Sequence, residues 1–189
     1  MDAGNHAAPK DPESRKNSIK YFILAIVLVG IALSYWFFAA RSYGVPSASM
    51  ETTIMTGDRV FAEKISFQFR EVQPQDIVTF EDPEIPGRVL VKRCIAVGGQ
   101  TVDLVKGVVH VDGVALDEPY IDGKQTAPLT STIVPIKYPY KVPDGHIWVM
   151  GDNRTNSKDS RHYGPVDTNS VHERAYMVYW PLERIRVLQ

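Results

Sequence analysis

A chain of 189 residues, 44% of them hydrophobic, has room for one ordinary domain plus an anchor. Its formal net charge of −1 argues against nucleic acid as a partner, because nucleic-acid-binding domains are strongly basic. Cys94 is the only cysteine, which excludes an intrachain disulfide and decides no compartment.

Residues 1–18 mix Pro, Asn, Ser and both charges, the composition of a disordered tail. One transmembrane helix is expected over 19–40. Tyr21 to Ala40 carries no charge and is mostly Ile, Leu, Val, Ala and Phe. Twenty residues at ~1.5 Å each span ~30 Å, the thickness of a bilayer's hydrocarbon core. Tyr35 and Trp36 suit the membrane interface. A buried soluble helix would also be apolar, and Ala39-Ala40 would suit cleavage of a secretory leader. A leader's apolar region, however, runs only ~7–15 residues. Lys10, Arg15, Lys16 and Lys20 precede the span and Arg41 alone follows closely. The positive-inside rule then places the N-terminus in the cytoplasm and 41–189 outside. The expectation is a single-pass cell-membrane protein with lipid around its anchor.

Residues 41–189 read as a mostly β domain of twisted antiparallel sheets. Strands are expected at 58–65, 76–80, 88–97, 108–111, 114–116, 146–150, 175–180 and 185–188. Asp112-Gly113 between two Val-rich runs marks a two-residue hairpin. No helical period persists beyond the anchor. Residues 117–143, with five prolines, form an irregular excursion.

Three stretches could carry chemistry. Pro46-Ser47-Ala48-Ser49-Met50 follows the span closely; it is either a linker or a nucleophile at the bilayer surface. Gly151 to Arg161 packs two each of Arg, Asp, Asn and Ser into eleven positions without a large apolar residue. That is either a solvated turn or a fixed polar network. A serine needs a base. Among the histidines only His162, just after the polar box, merits a guess, and no HExxH spacing suggests a metal. Lysine is the other option, provided burial lowers its pKa. Lys92 within Val89-Leu90-Val91-Lys92-Arg93-Cys94-Ile95 has that apolar setting, unless it simply guards a sheet edge. Lys64 is a weaker rival.

The polar box resembles the GDNRxNSxDSR signature of bacterial type I signal peptidases. Three further boxes follow the family's order: Pro46 to Ile54, Gly57 to Lys64, and Gln73 to Phe80 with Val91 to Gln100. The resemblance covers roughly Val45 to the C-terminus. It implies a membrane-anchored Ser–Lys serine endopeptidase that needs no cofactor or metal and removes signal peptides from preproteins after A-x-A-type sites. By position, Ser49 resembles the nucleophile, Lys92 the general base, Ser47 an oxyanion-hole hydroxyl and Ser157 the hydroxyl orienting the lysine. Arg93, Asp152, Asp159 and Arg161 resemble an ion-pair scaffold. Val45, Met50, Ile54 and Val91 resemble substrate-binding positions. The chain departs from the pattern at Thr52, where proline is usual, and at Gln73-Pro74-Gln75, Cys94 and Gly99-Gln100. Cys94 should share a strand face with Lys92 and act as a small apolar wall. Two other functions use related folds: a non-catalytic membrane-tethered assembly partner, which would lack the serine or lysine, and a site-specific Ser–Lys protease of the repressor-cleaving type.

Overall fold

The computed structural model describes residues 12–130 and 132–188. Most of the expected tail, including Lys10, lies outside the described residues. The chain divides into two units, residues 1–39 and 40–189. In the first, helix α1 runs Pro12–Ala39. It starts seven residues before the expected 19, so residues 12–18 are helical rather than tail. Proline suits a first helical position and Glu13 favours the positive end of the helix dipole. The helix ends one residue early because Ala40 opens a strand. Its stretch Arg15–Tyr35 is long and apolar enough to cross a membrane, and none of that stretch is buried within the protein.

Among the described residues the second unit holds twelve strands. They are β1 (Ala40–Gly44), β2 (Arg59–Glu63), β3 (Ile77–Glu81), β4 (Val89–Val97), β5 (Thr101–Val105) and β6 (Val108–Val111). Then come β7 (Val114–Ala115), β8 (Tyr140–Lys141), β9 (His146–Met150), β10 (Val166–Asp167), β11 (Val171–Trp180) and β12 (Arg186–Val187). All their pairings are antiparallel. One sheet has the order β1-β2-β11-β3-β4-β9-β10, with β12 also on β11; the other has the order β7-β6-β5-β8. The short helices α2 (Ser66–Phe69) and α3 (Ser160–Tyr163) interrupt the β structure.

Strands β1, β5, β8 and β10 were not expected from the sequence. β8 and β10 have two residues each, too few for a period. β1 is an edge strand, mostly exposed, so no apolar alternation marks it. β5 meets β6 at Lys106-Gly107, with φ of 50° and 83°, a two-residue turn without the usual Asn-Gly or Asp-Gly signal. The expected Asp112-Gly113 turn has φ of 53° and 81°.

Strand β4 organises the domain, lying between β3 and β9 rather than at an edge. Lys92 therefore does not guard a sheet margin. Lys92 pairs with Val78 and Leu90 with Phe80. Leu90 and Cys94 pack on that face with Val78, Phe80 and Tyr163. By strand alternation Lys92 points the same way as Cys94, as the period-two pattern predicts. Val91 packs instead with Val45, Met50, Ile54 and Ile77. A third cluster, centred on Trp148, joins β4 and β9 to the smaller sheet.

Candidate active site

Residues 45–57 form a loop closed at its neck. Val45 N–H donates to Asp58 O (2.9 Å) and Gly57 N–H to Val45 O (2.8 Å). Inside it, Glu51 N–H donates to Ala48 O (3.2 Å) and Ile54 N–H to Met50 O (2.8 Å). Val45, Met50 and Ile54 are buried in the core, which turns Ser47, Ala48 and Ser49 outward along the rim. Asn153 holds this rim from the polar box. Its backbone N–H donates to Ser49 O (3.1 Å) and its side-chain amide to Ala48 O (3.0 Å).

Lys92 reaches the same rim from β4. Its Nζ donates to Ser49 Oγ at 2.7 Å and to Val91 O at 3.0 Å. Ser47 Oγ is 3.4 Å from Ser49 Oγ. Lys92 is only 3% exposed. Burial lowers its pKa from the ordinary 10.5 to about 8, against the opposing pull of Asp159, Asp82 and Asp152. Arg88, paired with Asp82, also lowers it. Burial pushes the neighbouring Cys94 thiol far up, so it is an inert apolar wall rather than a nucleophile.

The four scaffold charges form two buried pairs. Arg93 grips Asp152 with two bonds, 2.9 and 2.8 Å, and Arg161 grips Asp159 with two of 2.9 Å. Asp159 also accepts the Gly151 N–H at 3.0 Å, fixing the start of the box to its end. A third pair was missed: Arg154 Nη1 donates to Glu118 Oε2 (3.0 Å) and to Thr126 Oγ1 (2.8 Å). Tyr120 donates to Glu118 (2.8 Å) and lies 3.9 Å beneath the Arg93 guanidinium. Glu118, Tyr120 and Thr126 fall in the excursion, where the sequence has no period to place them. Asn153 lies in the polar box, where an amide has no spacing that assigns it a role.

Ser157, expected to orient the lysine, makes no hydrogen bond to Lys92 among the described residues. Its Oγ is buried and has no hydrogen-bond partner among the described residues. The second acceptor at the lysine amine is instead the Val91 carbonyl, next along the same strand. Ser157 Oγ still lies close by, since a Cβ added at Gly151 would overlap both it and the Ser49 carbonyl oxygen. His162 does not join the site; it is buried with Nε2 3.5 Å from Glu84. Lys64 is half exposed and its Nζ is 3.7 Å from Glu173. A cleft of about 390 Å³ runs along Ser49 and Lys92, and Val45, Met50, Ile54 and Val91 all line it. The arrangement is a hydroxyl on a hydrogen-bonded turn, a buried amine 2.7 Å from it, and an apolar groove beside both. That is the equipment of a serine hydrolase.

Comparison with known proteins agrees. Residues 16–180 match the family described as "Signal peptidase, peptidase S26". The chain is 35% identical to a "Probable signal peptidase I-1" of Synechocystis sp., over 95% of this chain and 90% of that one. It is 32% identical to a "Signal peptidase I" of Mycobacterium tuberculosis, over 94% and 78% of the two chains. A crystal structure of a signal peptidase I from Enterococcus faecalis aligns with TM-score 0.46 and 30% identity, covering 56% of this chain and 97% of that one. The chain belongs to the signal peptidase family of S26 peptidases. It is a serine endopeptidase whose substrates are preproteins bearing signal peptides.

Proposed function

We propose that Ser49 and Lys92 are the catalytic dyad of a membrane-anchored enzyme that cuts exported preproteins after small residues, outside the cytoplasm. The observation that carries this is the 2.7 Å contact between a buried lysine amine and a serine hydroxyl on a fixed turn. With a pKa of about 8, roughly one amine in ten is neutral at pH 7, against about one in three thousand for an ordinary lysine. The neutral amine accepts the Ser49 proton while Oγ bonds to the scissile carbonyl carbon. The carbonyl's electron pair moves to its oxygen, which takes hydrogen bonds from the Ser49 N–H and the Ser47 hydroxyl. Collapse breaks the C–N bond, and the Lys92 ammonium returns its proton to the leaving amine. Water, deprotonated by Lys92, then attacks the acyl carbon; the ester C–Oγ bond breaks and the Lys92 ammonium returns that proton to Ser49 Oγ.

Substrate lies extended beside β1, whose outer edge is unpaired among the described residues and whose end runs into Val45 at the cleft. Strand addition supplies backbone bonds, and the shallow apolar wall favours small side chains. The apolar, unburied α1 is the anchor, with lipid as its surroundings. The four cations Lys10, Arg15, Lys16 and Lys20 mark its cytoplasmic end. Ser49→Ala and Lys92→Arg should each abolish cleavage in folded protein. The double variant should lose little more, since nucleophile and base act as a unit. Substantial activity in either single variant would end the assignment. Protease added outside intact spheroplasts should digest residues beyond Ala40; protection until lysis would reverse the topology.

A further inference from the structure

The turn carrying Ser49 is held on its far side by the end of the chain. Arg186 Nη2 donates to the carbonyl oxygens of Thr52 (3.3 Å) and Thr53. Two residues earlier, Arg184 Nε donates to Asp58 Oδ1 (2.7 Å), and Asp58 Oδ2 accepts the Met55 N–H (2.9 Å). Two residues later, Leu188 is buried in the cluster that contains Met50 and Ile54, and its N–H donates to Tyr176 O (2.8 Å). Residues 184–188 thus grip the segment 50–58 at three places.

That grip meets a local weakness. Thr52 stands where the resembled serine box carries proline, so the chain lacks the ring that would fix φ at this position. A threonine turn samples more backbone states, and something else must restrict it. The Arg186 guanidinium is bonded to the carbonyl of that same residue and of the next. We infer that Arg186 is a positioning residue for the nucleophile, fixing the turn after Ser49 in place of the missing ring. This rests on Ser49 being the nucleophile.

The Thr52 N–H donates no hydrogen bond among the described residues, so proline there would remove none. Thr52→Pro is therefore a usable rescue. The experiment measures preprotein cleavage by the full chain in detergent for wild type, Ser49→Ala, Arg186→Ala, Thr52→Pro and the Thr52→Pro/Arg186→Ala pair. Arg186→Ala should lower kcat roughly ten-fold with KM within about two-fold, because displacing a reacting atom by a fraction of an ångström acts on the transition state. The acid limb of its pH profile should not move, since Lys92 is untouched. Thr52→Pro alone should act like wild type, and in the pair it should restore most of the lost kcat. Should Arg186→Ala fail to fold, Arg186→Lys, which can reach one carbonyl, should show a smaller loss with the same rescue. The inference is overturned by wild-type kcat in a folded Arg186 variant, or by a loss that Thr52→Pro leaves unchanged. Cleavage by Ser49→Ala would instead overturn the nucleophile assignment itself.

Discussion

Replacing Lys92 by methionine should stabilise the protein at neutral pH and destabilise it at high pH. Folding moves the Lys92 pKa from an ordinary 10.5 down to about 8, equivalent to roughly 3 kcal/mol against the buried ammonium. The unfolded chain therefore binds more protons between those two values, and stability rises with pH through that window. Below pH 8 the whole penalty is present; above about 10.5 it is gone. Methionine has nearly the same length, carries no charge and suits the apolar face beside Cys94. It forfeits the hydrogen bonds to Ser49 and Val91, worth about 1 kcal/mol each. The balance at pH 7 is a gain of roughly 1 kcal/mol, turning into a loss of roughly 2 kcal/mol once lysine is neutral in both states. Urea unfolding of both full-length proteins in mild detergent at two pH values measures the change, and the titration of other groups cancels in the difference. A stability difference that does not vary with pH would refute the burial argument.

Gly151→Ala should slow catalysis sharply without replacing a proposed catalytic residue. Its methyl group would overlap Ser157 Oγ and the Ser49 carbonyl oxygen, and the backbone of the serine turn must yield. Turnover should fall by about 10²-fold, whereas near-normal turnover would show that the serine turn tolerates displacement. Glu118→Ala leaves the buried Arg154 without its carboxylate and should cost about 3–5 kcal/mol in urea unfolding. Lys158→Ala, at a largely exposed pair with Glu84, should cost at most about 1 kcal/mol. Equal losses would mean that burial does not govern these pairs.

Features with local chemistry were readable from the sequence. The Asp112-Gly113 turn, the strand around Lys92 and the apolar helix all follow from residue type and period. Lys92 and Cys94 share a face because side chains alternate along β4. What could not be read depends on contacts between distant segments. Glu118 meets Arg154 across 36 positions, and Arg186 meets Thr53 across 133. Neither contact leaves a periodic trace. The helical start at Pro12 was missed because mixed charge suits a solvated helix turn as well as a tail. The expected role of Ser157 at the lysine came from the family resemblance alone, and the bond of the amine to the Val91 carbonyl had no signal in the sequence.

The pH dependence of kcat/KM on a preprotein substrate tests the role of Lys92 most directly. The base must be neutral to accept the Ser49 proton, so activity should rise with pH through an acid limb near pH 8, where the buried amine titrates. A limb near about 6.5 would indicate a histidine base, and one near about 10.4 a solvated lysine. Either result would contradict a desolvated Lys92 acting on Ser49.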